Sequence, residues 1–224
     1  MSKKSIYVLI LCMTILAVYY LGRAYNSIPL LELIRNLFLV ILLIKVTDEN
    51  IKKLEYRDTL TFFVMGLGLF VNLLIGMSML RSGGGYSILL QRLGFSIGGL
   101  LTGGISFYLL GFLAEMIFKK EGVGGGDVKL VAAIGAFIGP SVVWLIPIWI
   151  CMLIVFGLTY KVVAKFSRSD SSNVVPSAPI HFITLISFLL IKANSFDIIS
   201  GLMVLFVAIT YAFLLAKYWN RSVT

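Results

Sequence analysis

The chain has 224 residues, of which 59% are hydrophobic and only 13% are charged, and its formal net charge is +9. Soluble domains are about 45–50% apolar and about 25% charged, so this composition excludes an ordinary soluble domain and predicts a polytopic membrane protein. The Lys and Arg residues lie in short clusters between apolar segments and not along one face with interleaved aromatics, which excludes nucleic acid as the expected partner.

Eight apolar segments follow one another along the chain, and each is a candidate membrane-spanning helix. They cover residues 5–22, 29–46, 60–80, 93–118, 128–139, 141–165, 178–193 and 197–217. The fifth is short and ends at Gly139-Pro140, so it is either a half-span or the first part of a kinked helix. The sequence therefore predicts an all-α fold, a polytopic transmembrane helical bundle of six to eight spans with eight preferred, organised as one integral membrane domain over residues 1–224.

The distribution of Lys and Arg predicts how these spans are oriented. The N-terminal segment has a basic start but no small-residue cleavage site, so we interpret it as the first span and not as a removed signal. With eight spans, both termini share a side with the connections around residues 45–57, 119–129 and 161–168, which hold most of the Lys and Arg. The positive-inside rule then places both termini at the cytoplasmic face of the cell membrane.

Three residue types in the apolar segments are expected to serve packing. Seven glycines of the third and fourth segments are predicted to be close helix contacts: Gly66, Gly68, Gly94, Gly98, Gly99, Gly103 and Gly104. His181 is the only histidine and is predicted to be a packed or interfacial residue and not a metal ligand, since no second ligand type clusters with it. Cys12 and Cys151 form no CxxC pair, so we expect neither a disulfide framework nor a zinc site, and no metal or other cofactor.

The few acidic residues concentrate in two short stretches. "KVTDENIKKLEYRDTLTF" (45–62) contains Asp48 and Asp58, and "KKEGVGGGDVKL" (119–130) contains Asp127 behind three glycines. On the eight-span topology both stretches lie on the cytoplasmic side, each at the end of a helix. Two aspartates that are far apart in sequence can therefore meet at one membrane edge.

Such a meeting of carboxylates predicts a specific chemistry. Two carboxyl groups that share a site hold one proton between them, so one can take a proton from water while the other polarises a carbonyl. Peptide hydrolysis by this pair needs no metal, cysteine or serine. Gly124, Gly125 and Gly126 lack side chains that would keep an extended peptide from Asp127, and the peptide backbone can pair with such a loop. Lys129 is assigned to substrate binding together with these glycines, and it is expected to anchor to lipid phosphate or to tune the pKa of the carboxylate.

Two other readings of these acids remain open at this point. Asp127 can be the N-cap of the apolar helix that follows it. The chain can also be a non-enzymatic transporter or assembly scaffold in which intramembrane acids serve as ion or proton sites. In that case the acids should lie in the middle of spans, whereas Asp48 and Asp127 lie at span ends.

The stretch "GVGGGDVKLVAAIGAFIG" (122–139) resembles the G-x-G-D motif and the following helix of the type IV prepilin peptidases, which are intramembrane aspartyl proteases. The resemblance implies that Asp127 is one catalytic aspartate. The other is assigned to Asp48, which directly follows its span, while "YRDTLT" (56–61) resembles a later element of the family. Arg57 replaces the usual proline there, so Asp58 is a competing candidate. A presenilin or signal-peptide-peptidase type would carry P-A-L late in the chain, where this sequence has "PSAP".

This resemblance implies a function. The family removes the short basic leader from type IV pilin-like precursors at the cytoplasmic side of the membrane, cutting just before the hydrophobic helix. The whole chain would then be a single integral membrane peptidase domain in the cytoplasmic membrane, with pilin-like precursors and the lipid bilayer as its partners. Many members also methylate the new N-terminus and carry a cysteine-bearing segment near their own N-terminus. This chain begins its first span at about Ser5, so we expect a peptidase without methyltransferase activity.

Overall fold

A computed structural model describes residues 3–25, 29–53, 56–83, 85–119, 123–167, 177–193 and 198–218. Within these ranges the chain is helical and contains no β-strand. The helices are α1 (Lys3–Ala24), α2 (Leu30–Lys53), α3 (Asp58–Arg81), α4 (Tyr86–Phe118), α5 (Gly125–Ile138), α6 (Leu145–Ser167), α7 (Ala178–Lys192) and α8 (Ile198–Tyr218), and a short 3₁₀ helix covers Pro140–Trp144. The prediction of an all-α fold is confirmed, and each predicted apolar segment corresponds to one helix.

Two helix boundaries differ from the prediction by seven residues each, and α6 begins at Leu145, four residues later than predicted, because the 3₁₀ helix precedes it. α2 continues to Lys53, because the polar stretch after residue 46 contains neither Gly nor Pro to end the helix. α4 begins at Tyr86 and not at residue 93, with Gly85 as an extended N-cap, so the connection from α3 is shorter than expected. The predicted end of the fifth segment is confirmed. Gly139 has a φ of +75°, which favours glycine, and Pro140 cannot donate a helical hydrogen bond.

The outer surfaces of α3 and α4 are apolar. Large hydrophobic side chains such as Phe62, Phe70 and Phe112 are more than half exposed, as expected for a surface that contacts lipid and not water. By length and composition, two helices of the described chain can cross a membrane, Asp58–Arg81 and Tyr86–Ile117. Shorter apolar helices cover Tyr7–Gly22, Pro140–Phe156 and Ala178–Lys192. The total of eight spans stays a prediction.

The helices form two compact units. The α5 unit comprises Leu30–Leu42 and Tyr56–Ile146, and the α7 unit comprises Met1–Pro29, Leu43–Glu55 and Pro147–Thr224. That residues 1–224 form one domain stays a prediction.

In the α5 unit, the short helix α5 packs between α3 and α4, and its residues from Leu130 to Ile138 are buried. The backbones approach closely because the crossing points carry glycine. A Cβ on Gly103 of α4 would lie 2.6 Å from the carbonyl oxygen of Val131, and one on Gly68 of α3 would lie 3.0 Å from the backbone of Ala136. Glycine at these positions therefore allows α5 to lie directly against its neighbours.

The predicted glycine contacts are confirmed for several positions and wrong for two. Gly99 is buried against the backbone of Gly135. A Cβ on Gly66 or on Gly94 would meet no described atom within 4 Å, because these two glycines face outward from α3 and α4. Spacing alone did not distinguish the inward face of these helices from the outward one.

A buried amide closes the far end of α5. Asn72 of α3 is fully buried, and its Nδ2 donates to the carbonyl oxygens of Ala136 at 2.8 Å and Phe137 at 3.2 Å. The hydroxyl of Ser96 on α4 also donates to the carbonyl oxygen of Ala136. The last carbonyls of a helix lack partners within that helix, so these side chains stabilise its end inside an apolar environment.

In the α7 unit, α7 packs against α1 and α8 and is buried from Ala178 to Leu190. His181 is 3% exposed and stacks on Trp149 with ring centroids 5.6 Å apart, which confirms that it is a packed residue. Asn50, near the end of α2, accepts a hydrogen bond from the backbone N–H of Ala178 at 3.2 Å. This contact caps α7, since Ser177 makes no side-chain capping bond.

Candidate active site

Asp127 is the third residue of α5 and lies in its first turn. The N-cap of α5 is Gly124, and Asp127 lies three residues later inside the helix. The alternative interpretation of Asp127 as the N-cap is therefore wrong. The backbone N–H of Asp127 donates to the carbonyl oxygen of Gly124 at 3.0 Å. A carboxylate in the first turn interacts favourably with the partial positive charge of a helix N-terminus, and the side chain is half-buried.

Tyr56 contacts the carboxyl group of Asp127 directly. Its hydroxyl donates to Oδ1 of Asp127 at 3.0 Å. Tyr56 lies just before α3, 71 residues earlier in the chain, and is itself half-buried. The packing of α3 against α5 brings the two side chains together. No motif in the sequence indicated that Tyr56 belongs to the site.

The three glycines before Asp127 have different surroundings. A Cβ on Gly126 would collide with the ring of Tyr56, whereas one on Gly125, which is exposed, would meet no described atom within 4 Å. A Cβ on Gly124 would lie 3.6 Å from Oδ2 of Asp127. Among the described glycines only Gly83 and Gly139 have a positive φ. Steric room, and not an unusual backbone conformation, is therefore what the glycines contribute here.

Lys129 forms an ion pair with Asp58. The Nζ of Lys129 lies 2.6 Å from Oδ1 of Asp58, which is the first residue of α3. The side chains are 39% and 62% exposed, respectively, so solvent screens the pair and its contribution to stability is small. The role of Lys129 in binding substrate stays a prediction. Asp58, the competing catalytic candidate, is the more exposed partner of this pair.

Asp48 lies near the end of α2 and is half-buried. It belongs to the α7 unit, and Asp127 belongs to the α5 unit, so the pairing of the two aspartates stays a prediction. Two residues beyond Asp48, Asn50 caps α7 through Ala178. The helical turn that carries Asp48 is thereby attached to the buried α7 within its own unit.

Two residues of the site region, Tyr56 and Asn50, were not found from the sequence. A tyrosine before a helix start and an asparagine in a polar stretch are common, and the partner of each lies far away along the chain. The only available signal was their proximity to the acidic residues. Among the described residues, no three His, Cys, Asp or Glu side chains are grouped so that they could hold a metal ion.

Known proteins that resemble this chain are enzymes that process leader peptides. A protein from Escherichia coli O78:H11 (strain H10407 / ETEC), named type 4 prepilin-like proteins leader peptide-processing enzyme, is 37% identical over 70 residues, covering 31% of this chain and 25% of that protein. Prepilin leader peptidase/N-methyltransferases of Neisseria gonorrhoeae and of Pectobacterium carotovorum subsp. carotovorum are 29% and 31% identical over 133 residues. These matches cover 59% of this chain and 41% and 42% of the relatives.

The part of the chain that matches the family model includes all three candidate aspartates. This chain spans between about a quarter and about two fifths of the length of these relatives. No solved structure matches it significantly. The model of the type IV leader peptidase family matches residues 36–162, which is more than half of the chain and contains Asp48, Asp58 and the glycines before Asp127. The protein therefore belongs to the type IV leader peptidase family.

Proposed function

We propose that the protein is an aspartyl endopeptidase of the cytoplasmic membrane that removes the basic leader from type IV pilin-like precursors at the cytoplasmic face. The observation that carries the proposal is the position of Asp127. It stands in the first turn of a buried helix, behind three glycines, within the segment that matches the family. The names of the relatives, which refer to prepilin leader processing, support the same substrate class.

The three glycines before Asp127 leave room for a peptide substrate. Gly125 is exposed, and a Cβ added to it would meet no described atom within 4 Å. An extended precursor backbone can lie along Gly124–Gly126 and bring its scissile carbonyl to Asp127. Side chains at these positions would hold that backbone away.

The reaction requires two carboxyl groups, and we assign Asp48 as the second. The ionised member takes a proton from water as the water oxygen bonds to the scissile carbonyl carbon. The protonated member gives its proton to the carbonyl oxygen. In the collapse of the tetrahedral intermediate the C–N bond breaks. The carboxyl that is now protonated gives its proton to the departing amine, and the carboxyl that is now ionised takes a proton from a hydroxyl of the intermediate. The site then again holds one proton, and no cofactor takes part.

The membrane arrangement belongs to the same proposal. Eight spans with both termini in the cytoplasm would bring the connections after α2 and before α5 to the side where the basic leader lies. The proposal covers peptide cleavage without methyl transfer. Since two of the relatives are also named N-methyltransferases, the mass of the product N-terminus should be measured for an added methyl group.

The test is cleavage of a pilin-like precursor by the purified full-length protein in lipid, followed by gel shift and mass spectrometry. Asp48→Asn and Asp127→Asn should each lower the rate on the order of 10²–10⁴-fold, because the pair can no longer share one proton. Asp58→Asn is the matched control and should retain activity. All variants should show the elution profile of the wild type on size exclusion.

Each other outcome has a definite meaning. If Asp58→Asn is inactive and Asp48→Asn is active, Asp58 is the second catalytic acid. If all three variants cleave normally, the aspartyl mechanism is wrong. If the wild type cleaves no pilin-like precursor with a basic leader, the proposed substrate class is wrong.

A further inference from the structure

The segment 56–58, at the start of α3, contacts the N-terminal part of α5 at both of its ends. At one end the hydroxyl of Tyr56 donates to Oδ1 of Asp127 at 3.0 Å. At the other end the carboxylate of Asp58 pairs with Nζ of Lys129 at 2.6 Å. Tyr56 and Asp58 are two residues apart, and so are their partners Asp127 and Lys129. Both contacts fit the same register of the two segments, in which Tyr56 lies against Asp127.

We infer that Tyr56 is a positioning residue for the carboxyl group of Asp127. The inference rests on the proposed function, since it assigns Tyr56 a role in the same site. A carboxyl group can rotate about its bond to Cβ, and a donor fixed on one oxygen restricts that rotation. With Oδ1 held by Tyr56, the other oxygen, Oδ2, faces Gly124, at the edge where we place the peptide.

The donated hydrogen bond also acts on the charge of Asp127. A hydrogen bond to the charged form of a carboxyl group favours that form, and the first turn of a helix acts in the same direction. The Lys129 ammonium is paired with Asp58. Tyr56 therefore supports the ionised state of Asp127 as well as its orientation.

Gly126 provides an independent observation in favour of this role. The ring of Tyr56 occupies the place where a Cβ of residue 126 would be. The backbone at Gly126 is helical, not left-handed, so its conformation does not require glycine. Glycine at position 126 instead leaves room for the ring of Tyr56, which carries the hydroxyl that reaches Asp127.

The experiment compares Tyr56→Phe with the wild type in the full-length protein in lipid. Removing the hydroxyl keeps the ring against Gly126 and deletes one bond to a charged group. We expect kcat for precursor cleavage to fall roughly 10- to 100-fold, with KM changed by less than about threefold, because only the reacting carboxyl is affected. The acid limb of the kcat profile should move to higher pH, since the ionised carboxylate has lost a donor. Tyr86→Phe, at the exposed start of α4, is the matched control and should be unchanged.

A second readout does not depend on activity. The protein is labelled with ¹³C at the aspartate carboxyls, and the signal of Asp127 is assigned by its absence in Asp127→Asn. In Tyr56→Phe the midpoint of this signal should move to higher pH by about one to two pH units, as loss of a hydrogen bond to a charged group predicts. In Tyr86→Phe it should not move.

The outcomes separate this inference from the proposed function. An unchanged midpoint in Tyr56→Phe, or an unchanged kcat in an active enzyme, overturns the positioning role. A wild type that cleaves no precursor overturns the proposed function, and the titration then still decides whether Tyr56 controls Asp127. Gly126→Ala should lower kcat when Tyr56 is present and have little further effect in a Tyr56→Ser background. Full additivity of these two changes would contradict the steric match.

Discussion

Replacing glycines of α4 by alanine, one at a time, should distinguish the effect of tight helix packing on stability from the effect of helix propensity. At Gly103 the new Cβ would lie 2.6 Å from the carbonyl oxygen of Val131 and 3.1 Å from its carbonyl carbon. Ordinary contact begins at 3.4 Å, so α4 and α5 would have to separate by about 0.8 Å. Backbone atoms cannot rotate away as a flexible side chain can. At Gly94, on the same helix, the Cβ would meet no described atom within 4 Å.

The two substitutions share the gain in helix propensity of about 1 kcal/mol and differ in the strain. Overpacking costs about 1–3 kcal/mol, and we expect the upper half of that range at Gly103. Gly103→Ala should therefore be roughly 2–3 kcal/mol less stable than Gly94→Ala, which for a chain of this size is about 5–10 °C in Tm. Gly104→Ala, whose Cβ would lie 3.4 Å from that of Ala132, should fall between them.

The assay is thermal denaturation of the purified protein in detergent, followed by the loss of the monodisperse peak on size exclusion. Equal Tm values for the Gly103 and Gly94 variants would refute the close crossing of α4 and α5. A lower Tm for Gly94→Ala than for the wild type would show that this glycine serves a contact, which the structure excludes among its described residues.

Asn72→Leu should lower the free energy of unfolding by about 1–3 kcal/mol, because a buried carbonyl at the end of α5 loses its donor; Tm in detergent measures it, and an unchanged Tm would contradict the capping role. Asn50→Ala should lower it by about 1 kcal/mol through loss of the cap on α7, which the same assay tests against wild type. Asp58→Lys and Lys129→Asp should each destabilise by less than about 1 kcal/mol because the pair is exposed, and their combination should recover part of the loss. A double variant less stable than both single variants would argue against the pairing.

The helices of this protein could be predicted well because apolar runs and chain breakers are local signals. The fifth segment was expected to be short and to end at Gly139-Pro140, and α5 ends at Ile138. The start of α4 at Tyr86 was not expected, because the stretch from Tyr86 to Arg92 is only moderately apolar. Leu89 and Arg92 of this stretch lie against Gly76 of α3, a contact that a local pattern does not contain.

The glycines show the same limit at a finer scale. Their spacing indicated close helix contacts, but it did not show which face of a helix turns inward. Gly103 and Gly94 are both glycines of α4, yet one lies against the backbone of α5 and the other faces outward. The direction of a face is a property of the assembled bundle.

The sequence by itself determined the helical class, the order of the helices and the two acidic stretches, and it carried the motif at Asp127, because each of these is encoded in consecutive residues. Only the tertiary structure decided what surrounds that carboxyl group. Tyr56 reaches Asp127, and Asp58 reaches Lys129, each across 71 residues of sequence. A contact over such a separation exists only because α3 and α5 pack side by side, and no local pattern shows which residues will be partners.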